Sequence, residues 1–444
     1  MLVIKCIAVQ AGNLKFFTFA GKMNNPDLSL FKSRALSWAN TFDICCCLDS
    51  SDYKDGFGRY DFLIAAGAKH SINCRTGHAF EALQLFYETH KNWMFGLFSY
   101  DLKNENESLS SEHPDLLGFP DLFFFVPEYL IAVDNGIPHV LLGDPSVLDV
   151  IDNHVAPSEP ESEATECSQP LNIRQRMDKT TYLQKIDELK QHILRGDIYE
   201  VTYCQEFFAE HAAIDPQQVY LSLKELSPTP FSGYFKIYDR YILSSSPERF
   251  LCKRGKKLIS QPIKGTAKRN PDAKEDALVR ARFSTDMKEQ TENVMIVDLV
   301  RNDLTRSAVQ GSVKVEELFG IYSFPQVHQM ISTISCELNP DIHFVEAIRN
   351  TFPMGSMTGA PKIKAMKLID KYELSRRGAY SGSFGYITPD GDFDFNVIIR
   401  SILYQQSRQY LSFQVGGAIT YSSDPESEYE ECMLKASAMI QTLS

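Results

Sequence analysis

Residues 384–400 read FGYITPDGDFDFNVIIR. The runs 384–387 and 395–400 are rich in aromatic and β-branched side chains, which is typical of strands. Between them lies the turn-forming sequence PDG at 389–391, in which proline presets one backbone angle and glycine accepts a positive φ. Two strands joined by so short a connection must be antiparallel. This stretch therefore predicts a β-hairpin within an antiparallel sheet.

The rest of the chain mixes strand-like and helical segments without regular alternation. Strand-like runs lie at 42–48, 93–98, 122–126, 139–142, 241–244 and 411–415. Apolar residues at helical spacing lie at 182–194, about 285–301, 343–350, 361–372 and 426–442. A doubly wound sheet requires strands and helices in alternation, so the pattern favours an α+β fold with a largely antiparallel sheet.

Composition and charge exclude several classes of protein. The 444 residues are 43% hydrophobic and 23% charged, as in an ordinary soluble globular protein. No apolar run approaches the roughly 20 residues that span a bilayer, and the N-terminus lacks a signal-peptide pattern, so we expect no membrane association and a cytoplasmic location. The net charge of −12 argues against a nucleic-acid partner. The ten cysteines form no CxxC pair, so we expect neither a zinc site nor disulfides.

The segment 155–170, VAPSEPESEATECSQP, is acidic, rich in Pro and Ser, and nearly devoid of large apolar residues. That composition is typical of an exposed linker or long loop. We therefore divide the chain into a strand-rich N-terminal region at 1–154, a linker at 155–173 and a C-terminal region at 174–444.

A lysine beside a glycine is the first candidate for chemistry. Lys264 precedes Gly265 shortly after the strand-like run 258–260, and a glycine lets the backbone lie close to whatever is opposite. An amine pointed into such a confined space loses hydration, so its pKa falls and it can act as a nucleophile or base. A solvated surface lysine is the alternative, since most lysines are exposed.

Four glutamates form two pairs with the same spacing. Glu289 and Glu292 lie in one predicted helix, and Glu428 and Glu431 lie in another. Residues three apart share a helix face, so each pair aims two carboxylates in one direction. Oxygen ligands that leave room for water suit Mg²⁺ better than zinc. The alternative is two solvated acidic faces without a metal.

Three further positions are candidates for acid–base chemistry or anion binding. Glu248 follows an apolar strand, where partial burial would raise its pKa and let it donate a proton; the alternative is an ion pair with Arg249. Arg400 lies within an apolar strand and needs an anion, either a ligand or an internal carboxylate. Gly416 and Gly417 follow a strand and could either cradle an anion or simply end that strand.

Together these segments resemble the chorismate-utilising enzymes, a family that includes anthranilate synthase component I, aminodeoxychorismate synthase component I, isochorismate synthase and salicylate synthase. The resemblance covers about 175–444 and lies in RGDIYEV (195–201), SPERF (246–250), ENVMIVDLVRND (292–303), FPMGSMTGAPK (352–362), IIRS (398–401), GGAIT (416–420) and EYEE (428–431). It extends more loosely to FGLFSYD (95–101). The resemblance implies a large antiparallel-sheet β-sandwich core with helices on the outside. It also implies a chorismate-binding catalytic region at 174–444, with which the N-terminal region is intertwined.

Lys264 favours one branch of this family. The sequence Pro-Ile-Lys-Gly-Thr at 262–266 resembles that of aminodeoxychorismate synthases. Anthranilate synthases carry alanine in place of the lysine. In the former branch, the resemblance implies attack by the Lys264 amine at C2 of chorismate with loss of the C4 hydroxyl. Ammonia then attacks C4 and releases the lysine. Glu248 would protonate the departing hydroxyl and later accept a proton.

The resemblance also implies ligands for a metal and for the substrate. Mg²⁺ would be held by Glu292 and Glu431 directly and by Glu289 and Glu428 through water. The positions that match substrate-binding residues of the family are His328, Thr358, Tyr380, Arg400, Gly416, Gly417 and Lys435.

Two features that the sequence lacks bear on whether ammonia or water attacks and on which partner is needed. Isochorismate and salicylate synthases place a water-activating lysine where this chain carries Gln205, which disfavours attack by water. The sequence contains no Gly-x-Cys-x-Gly elbow, so we expect a glutamine amidotransferase subunit to supply ammonia.

Two alternatives to this function remain. One is an anthranilate synthase component I, which Lys264 disfavours. The other is a non-catalytic binding or regulatory subunit of the same fold, which the intact pair of Glu248 and Lys264 disfavours. The resemblance also leaves open a tryptophan pocket near residues 48–50.

Overall fold

This computed structural model describes residues 7–11, 14–18, 25–155, 171–325 and 327–444. The predicted linker at 155–173 lies mostly outside the described residues, which include only its first residue and its last three.

The described residues form twenty-one strands. The first eleven are β1 Ile7–Ala11, β2 Leu14–Thr18, β3 Ile44–Asp49, β4 Phe62–Cys74, β5 Met94–Phe98, β6 Leu122–Asp134, β7 Ile137–Leu142, β8 Arg174–Gln175, β9 Glu200–Ala209, β10 Phe231–Ile237 and β11 Arg240–Ser246. The remaining ten are β12 Arg249–Arg254, β13 Lys257–Gln261, β14 Ile263–Lys268, β15 Lys314–Ser323, β16 Val327–Glu337, β17 Gly359–Ala360, β18 Ser383–Ile387, β19 Phe393–Asn396, β20 Ser401–Gln405 and β21 Tyr410–Ile419.

Eleven α-helices lie among the same described residues. They are α1 Asn25–Ala39, α2 Ala79–His90, α3 Lys103–Asn106, α4 Val147–Asp152, α5 Lys179–Leu194, α6 Pro216–Leu226, α7 Ala273–Ser284, α8 Met287–Thr305, α9 Phe344–Thr351, α10 Lys362–Tyr372 and α11 Pro425–Leu443. In this part of the chain, no helix combines the length and the apolar character that crossing a membrane requires.

The strands form two arms that meet at the long strands β4 and β6. One arm runs from β6 through β4, β3, β10, β11, β20 and β21 to β9. The other runs from β6 through β5, β18, β19, β12 and β13 to β16, which also pairs with β14 and β15. The two arms face each other, and the rings of Phe235 in β10 and Phe384 in β18 lie 6.0 Å apart without any pairing of those strands. All these pairings are antiparallel, so the predicted α+β fold with a β-sandwich core is confirmed.

The predicted hairpin at 384–400 is confirmed in its first part and wrong at its end. Strands β18 and β19 pair as expected, and Gly391 in the turn has a φ of +76°. The second strand stops at Asn396 instead of continuing to 400. Arg400 has a φ of +52°, a left-handed conformation that a strand cannot contain.

The apolar core has two layers. One lies between the two arms of the sheet, and the other lies between the first arm and the helices α1, α4, α5, α6, α10 and α11. Side chains alternate along β3, so Cys46 packs in the first layer while Cys45 and Cys47 pack in the second. Of the cysteines in the described residues, all but Cys74 are buried, as predicted for small apolar side chains.

Helices α8 and α11 carry the two predicted glutamate pairs. Helix α8 lies against β14 and β16, and α11 lies against β21. Asp286 and Asp424 cap the two helices: the side chain of Asp286 accepts hydrogen bonds from two backbone N–H groups of the first turn, and that of Asp424 accepts one. The caps fix where each helix begins and thereby which way its first-turn glutamates point.

The contact between β5 and β6 predicts a large effect of a small substitution. Gly96 lies opposite Phe124, and a Cβ at position 96 would lie 2.3 Å from the ring of Phe124 and 2.4 Å from the backbone oxygen of Phe123. We expect Gly96→Ala to lower the free energy of unfolding by about 3 kcal/mol or more, measured by urea unfolding. Gly56→Ala is the control, since a Cβ there meets nothing within 4 Å. Equal stability of both variants would contradict the packing described here.

Candidate active site

A cavity of about 140 Å³ lies between the ends of the two arms, beside α8 and α11. Its lining includes most of the site residues predicted from the sequence. These are Glu248, Lys264, Glu289, Glu292, Tyr380, Arg400, Gly416, Gly417, Glu428, Glu431 and Lys435. Residues that were not predicted also line it, among them Thr202, Lys288, Ser356 and Gln414.

Lys264 is a buried cation paired with a buried anion. Its side chain extends from β14, and Nζ donates a hydrogen bond of 2.6 Å to Oε1 of Glu200 in β9. Burial alone would lower the pKa of the amine, but Glu200, together with the more distant Glu292 and Glu248, holds that pKa above its usual value. The expected lowering of the pKa is therefore wrong for this state of the protein, because the desolvated amine has gained a carboxylate partner.

Glu200 is the site residue that sequence reasoning missed. It is fully buried, and its second oxygen, Oε2, has no hydrogen-bond partner in the described residues. Side chains alternate across a strand, so Glu200 and Gln205 point to opposite faces of β9. Gln205 contacts Cys432 beneath α11 and does not line the cavity. The argument against water attack that was based on Gln205 therefore does not hold; Glu200 is the residue of this strand that contacts Lys264.

Glu248 lies between β11 and β12 and is 4% exposed. Burial raises the pKa of its carboxyl to about 7, although Ser356, Lys264 and the backbone N–H of Ile263 act in the opposite direction. The alternative ion pair with Arg249 does not form, because Arg249 is paired with Asp394 and Asp55 instead. A carboxyl group with this pKa is suited to exchange a proton near neutral pH.

The two glutamate pairs face the same cavity from two helices. Lys288, one turn before Glu292, lies between them: its Nζ is 3.9 Å from Oε1 of Glu292 and 3.6 Å from Oε1 of Glu428. Its spacing of four residues from Glu292 is the sequence signal that could have identified it. In the described residues, no three acidic, histidine or cysteine side chains converge as a preformed metal site.

The glutamates repel one another across the cavity. Burial, reinforced by Glu289 and Glu200, raises the pKa of Glu292 to about 7 despite the opposing Lys264 and Lys288. Burial also raises the pKa values of Glu289 and Glu428. Oxygen Oε1 of Glu292 is buried without a hydrogen-bond partner in the described part of the chain. This concentration of poorly compensated carboxylate oxygens is suited to an added cation.

Glu431 differs from the other three glutamates. Lys435, at 2.6 Å, holds its pKa below the usual value. The same Nζ donates to the backbone oxygen of Gly416 at 2.9 Å. Lys435 thus connects α11 to β21 at the edge of the cavity.

Arg400 has no carboxylate within ion-pair distance in the described residues, so the predicted internal salt bridge is absent there. Burial lowers the pKa of its guanidinium, although Tyr380 and Glu431 act in the opposite direction. Arg400 directly precedes β20, has a positive φ and lies in the wall of the cavity. An unpaired guanidinium in a cavity is suited to bind a carboxylate of a ligand.

Tyr380 is held in the same wall by a buried polar network. Its hydroxyl lies 3.4 Å from Sγ of Cys204, and Arg377 next to it is paired with Glu373 at 2.6 Å. Arg377 also donates to the backbone oxygens of Met357 and Thr202. This network fixes the position of Tyr380 relative to β9.

Gly416 and Gly417 belong to the middle of β21 and do not form a turn after it. They pair with Cys204 and Tyr203 of β9. A Cβ at Gly416 would lie 1.9 Å from the backbone oxygen of Tyr203, so only glycine permits this strand contact. A Cβ at Gly417 would instead lie 3.0 Å from Oε2 of Glu428, on the cavity side.

Two predicted substrate-binding residues do not reach the cavity. His328 is buried, and its ring nitrogens contact Ser323 at 2.8 Å and Asp276 at 3.1 Å. The hydroxyl of Thr358 donates to the backbone oxygen of Gly355 at 3.1 Å, within its own loop. Both side chains make these internal contacts in the described structure, and their assignment to the substrate site stays a prediction.

A second cavity, of about 200 Å³, contains none of the predicted catalytic or metal-binding residues. Its lining includes Leu48, Asp49 and Ser50, together with Phe231 and Tyr386. Residues 48–50, where the resemblance allowed for a tryptophan pocket, therefore line a cavity.

The pKa of Glu248 predicts an unusual dependence of stability on pH. As pH rises from about 4.5 to 7, the unfolded chain loses this proton while the folded protein retains it, so stability falls through that window. We expect Glu248→Gln to raise the free energy of unfolding at pH 8 by up to about 3 kcal/mol and to change it little at pH 4, measured by urea unfolding.

Glu206→Gln is the matched control for this measurement. Glu206 is a buried glutamate of β9 that is paired with Arg176 at 2.9 Å, so its loss should lower stability at pH 8. Equal stability of wild type and Glu248→Gln at both pH values would contradict a raised pKa of Glu248.

Relatives of known name share most of the chain. It is 35% identical over 352 residues to aminodeoxychorismate synthase component 1 of Escherichia coli, which covers 78% of this chain and 76% of the relative. It is 31% identical over 356 residues to anthranilate synthase component 1 of Thermus thermophilus, with the same coverage of 78% and 76%. The solved structure of anthranilate synthase component I from Streptococcus pneumoniae matches with a TM-score of 0.73 at 24% identity, over 87% of this chain and 93% of that one. That last likeness concerns the fold alone.

The family described as chorismate binding enzyme matches residues 45–441. This span includes every residue that lines the candidate active site. The chain belongs to the chorismate binding enzyme family.

Proposed function

We propose that this enzyme replaces the C4 hydroxyl of chorismate with an amino group, which yields 4-amino-4-deoxychorismate for p-aminobenzoate and folate biosynthesis. This is the activity of an aminodeoxychorismate synthase component I, an amino-group transferase. The observation that carries the proposal is the amine of Lys264 in the cavity of a chorismate-utilising enzyme, with Glu248 on the same wall. The unpaired cysteines of the described residues favour a reducing compartment, and we expect the enzyme to act in the cytoplasm.

The two catalytic groups have complementary tasks. Hydroxide is a poor leaving group, and Glu248, with a pKa near 7, can protonate it as Lys264 attacks C2 of the ring. Ammonia then attacks C4 and displaces the lysine, and Glu248 accepts a proton from the new ammonium group. Two successive displacements explain why the amine enters at C4 and not at C2.

The competing function within the family is that of an anthranilate synthase, and one relative of similar coverage has that name. Direct amination at C2 needs no nucleophilic side chain. A lysine buried in the cavity wall would be an obstacle to such a reaction, because its amine would compete with ammonia at the same carbon. Lys264 therefore favours amination at C4.

Chorismate is a dianion, and Arg400 in the cavity wall is suited to one of its carboxylates. We propose that Mg²⁺ neutralises and orients the other, held by Glu292 and Glu431 directly and by Glu289 and Glu428 through water. Oxygen Oε1 of Glu292 is buried without a hydrogen-bond partner in the described residues, and burial raises the pKa values of Glu289, Glu292 and Glu428; both observations support a divalent cation at this place. Because Lys288 now lies between Glu292 and Glu428, we expect metal binding to displace its ammonium group.

We propose that ammonia comes from a glutamine amidotransferase partner. The relative from Escherichia coli is named component 1, which supports a second component for this chain as well. Free ammonium should replace the partner in solution.

The central prediction concerns the product. Incubation with chorismate, Mg²⁺ and ammonium should give 4-amino-4-deoxychorismate, identified by chromatography and mass spectrometry. Lys264→Ala should lose C4 amination by at least about a hundredfold, because the covalent route is closed. Anthranilate from the wild type would contradict the proposal, and so would a Lys264→Ala variant that makes the C4 product at the wild-type rate. A non-catalytic subunit would be favoured if chorismate were not converted with ammonium or with glutamine and the amidotransferase partner.

A second prediction concerns the metal. Titration calorimetry should show weaker Mg²⁺ binding for Glu431→Gln, which removes a ligand. It should show tighter binding for Lys288→Met, by about tenfold, because a competing positive charge is lost. Lys185→Met is the control, since Lys185 lies on α5 and pairs with Glu188 outside the cavity. Unchanged affinity in both site variants would remove these residues from the metal site.

A further inference from the structure

The contact between Lys264 and Glu200 is not used by the chemistry described above. The two side chains come from strands on different arms of the sheet, and both are buried. Nζ and Oε1 are 2.6 Å apart, while Oε2 of Glu200 has no hydrogen-bond partner in the described residues. A buried glutamate in direct contact with the attacking atom is placed to take part in the reaction.

A protonated amine has no lone pair with which to attack, so Lys264 must first lose a proton. Three carboxylates face its ammonium group: Glu200, Glu292 and Glu248. Glu248 has to retain its own proton for the departing hydroxyl, and Glu292 is the proposed metal ligand. Glu200 is the one of these three within hydrogen-bond distance of Nζ.

We infer that Glu200 is the base that removes the proton from Lys264 when chorismate binds, an inference that rests on the function proposed above. Bound chorismate displaces water from the cavity, and loss of water disfavours both charges of the pair. Transfer of one proton over the existing hydrogen bond converts them into a neutral amine and a neutral carboxylic acid. The amine becomes nucleophilic only when the substrate is in place.

The steps balance in protons and electrons. The proton moves from Nζ of Lys264 to Oε1 of Glu200, and the freed lone pair forms the N–C2 bond. The ring double bonds shift, and the C4–O bond breaks as Glu248 donates its proton, so that water leaves. Ammonia then forms the C4–N bond, the double bonds shift back, and the C2–N bond electrons return to Nζ. Glu248 accepts a proton from the C4 ammonium group, and Glu200 returns its proton to Lys264.

The test compares wild type with Glu200→Gln, which preserves shape and a hydrogen-bond acceptor but cannot hold the proton. Rates of C4 amination are measured from pH 6.5 to 9.5 with Mg²⁺ and a constant concentration of neutral ammonia. In parallel, the exposure of the free amine is measured without chorismate, by the rate at which trinitrobenzenesulfonate labels Lys264, read by peptide mass spectrometry.

For wild type, we expect full amination activity at pH values where Lys264 is not labelled. For Glu200→Gln, we expect a loss of about a hundredfold at pH 7 and a rate that rises with pH in parallel with labelling. Glu200→Asp restores a carboxylate, so its amination rate should recover. That rate should not rise with pH in parallel with the labelling of Lys264. Glu206→Gln, a matched change on the same strand, should behave as wild type.

Two failures are distinguishable. If wild type makes no 4-amino-4-deoxychorismate, the proposed function fails and this inference fails with it. If wild type makes the product and Glu200→Gln has the same rate and pH profile, the proposed function stands and Glu200 is only a hydrogen-bond partner.

Discussion

An excess of buried carboxylate around one lysine is the constraint on which the rest of the site depends. Six glutamates of the described residues lie in or directly behind the cavity wall, and four cations face them. The glutamates are Glu200, Glu248, Glu289, Glu292, Glu428 and Glu431, and the cations are Lys264, Lys288, Arg400 and Lys435. Burial raises the pKa values of Glu248, Glu289, Glu292 and Glu428, whereas Lys435 at 2.6 Å holds the pKa of Glu431 below its usual value. The burial of Glu248 suits it to proton exchange, and the excess of carboxylates on α8 and α11 supports the divalent cation proposed above.

Local sequence was sufficient for the elements and insufficient for their pairing. The hairpin around 389–391 and the helices α8 and α11 have turn residues, apolar periodicity and capping aspartates that can be recognised within a short window. Strands β9 and β21 pair although they are about two hundred residues apart in sequence, and the local sequence of neither strand indicates its partner. The end of β19 at Asn396 was missed because the apolar residues 397–399 continue the strand-like pattern up to Arg400, whose backbone is left-handed.

The same division applies to the site. Glutamates three apart on a helix could be recognised from spacing, and the structure directs both pairs into one cavity. Which residue of β9 meets Lys264 depends on the register of the sheet, and a shift by one residue reverses the face of every side chain. Glu200 was therefore missed as the partner of Lys264. His328 matched a family position, but its two ring contacts with Ser323 and Asp276 can be identified only from the fold.

In the proposed reaction the nucleophile rests as an ammonium ion, and its ion pair with Glu200 solves a problem of stability. A lysine buried without a partner would be neutral and free to react with any electrophile that entered the cavity, and its burial would cost free energy in the resting protein. Paired with Glu200, the amine is held in position and is unreactive. Release then requires only the movement of one proton over a short hydrogen bond, which the desolvation caused by the substrate favours. In the mechanism inferred above, the reactivity of Lys264 is thus conditional on the presence of chorismate.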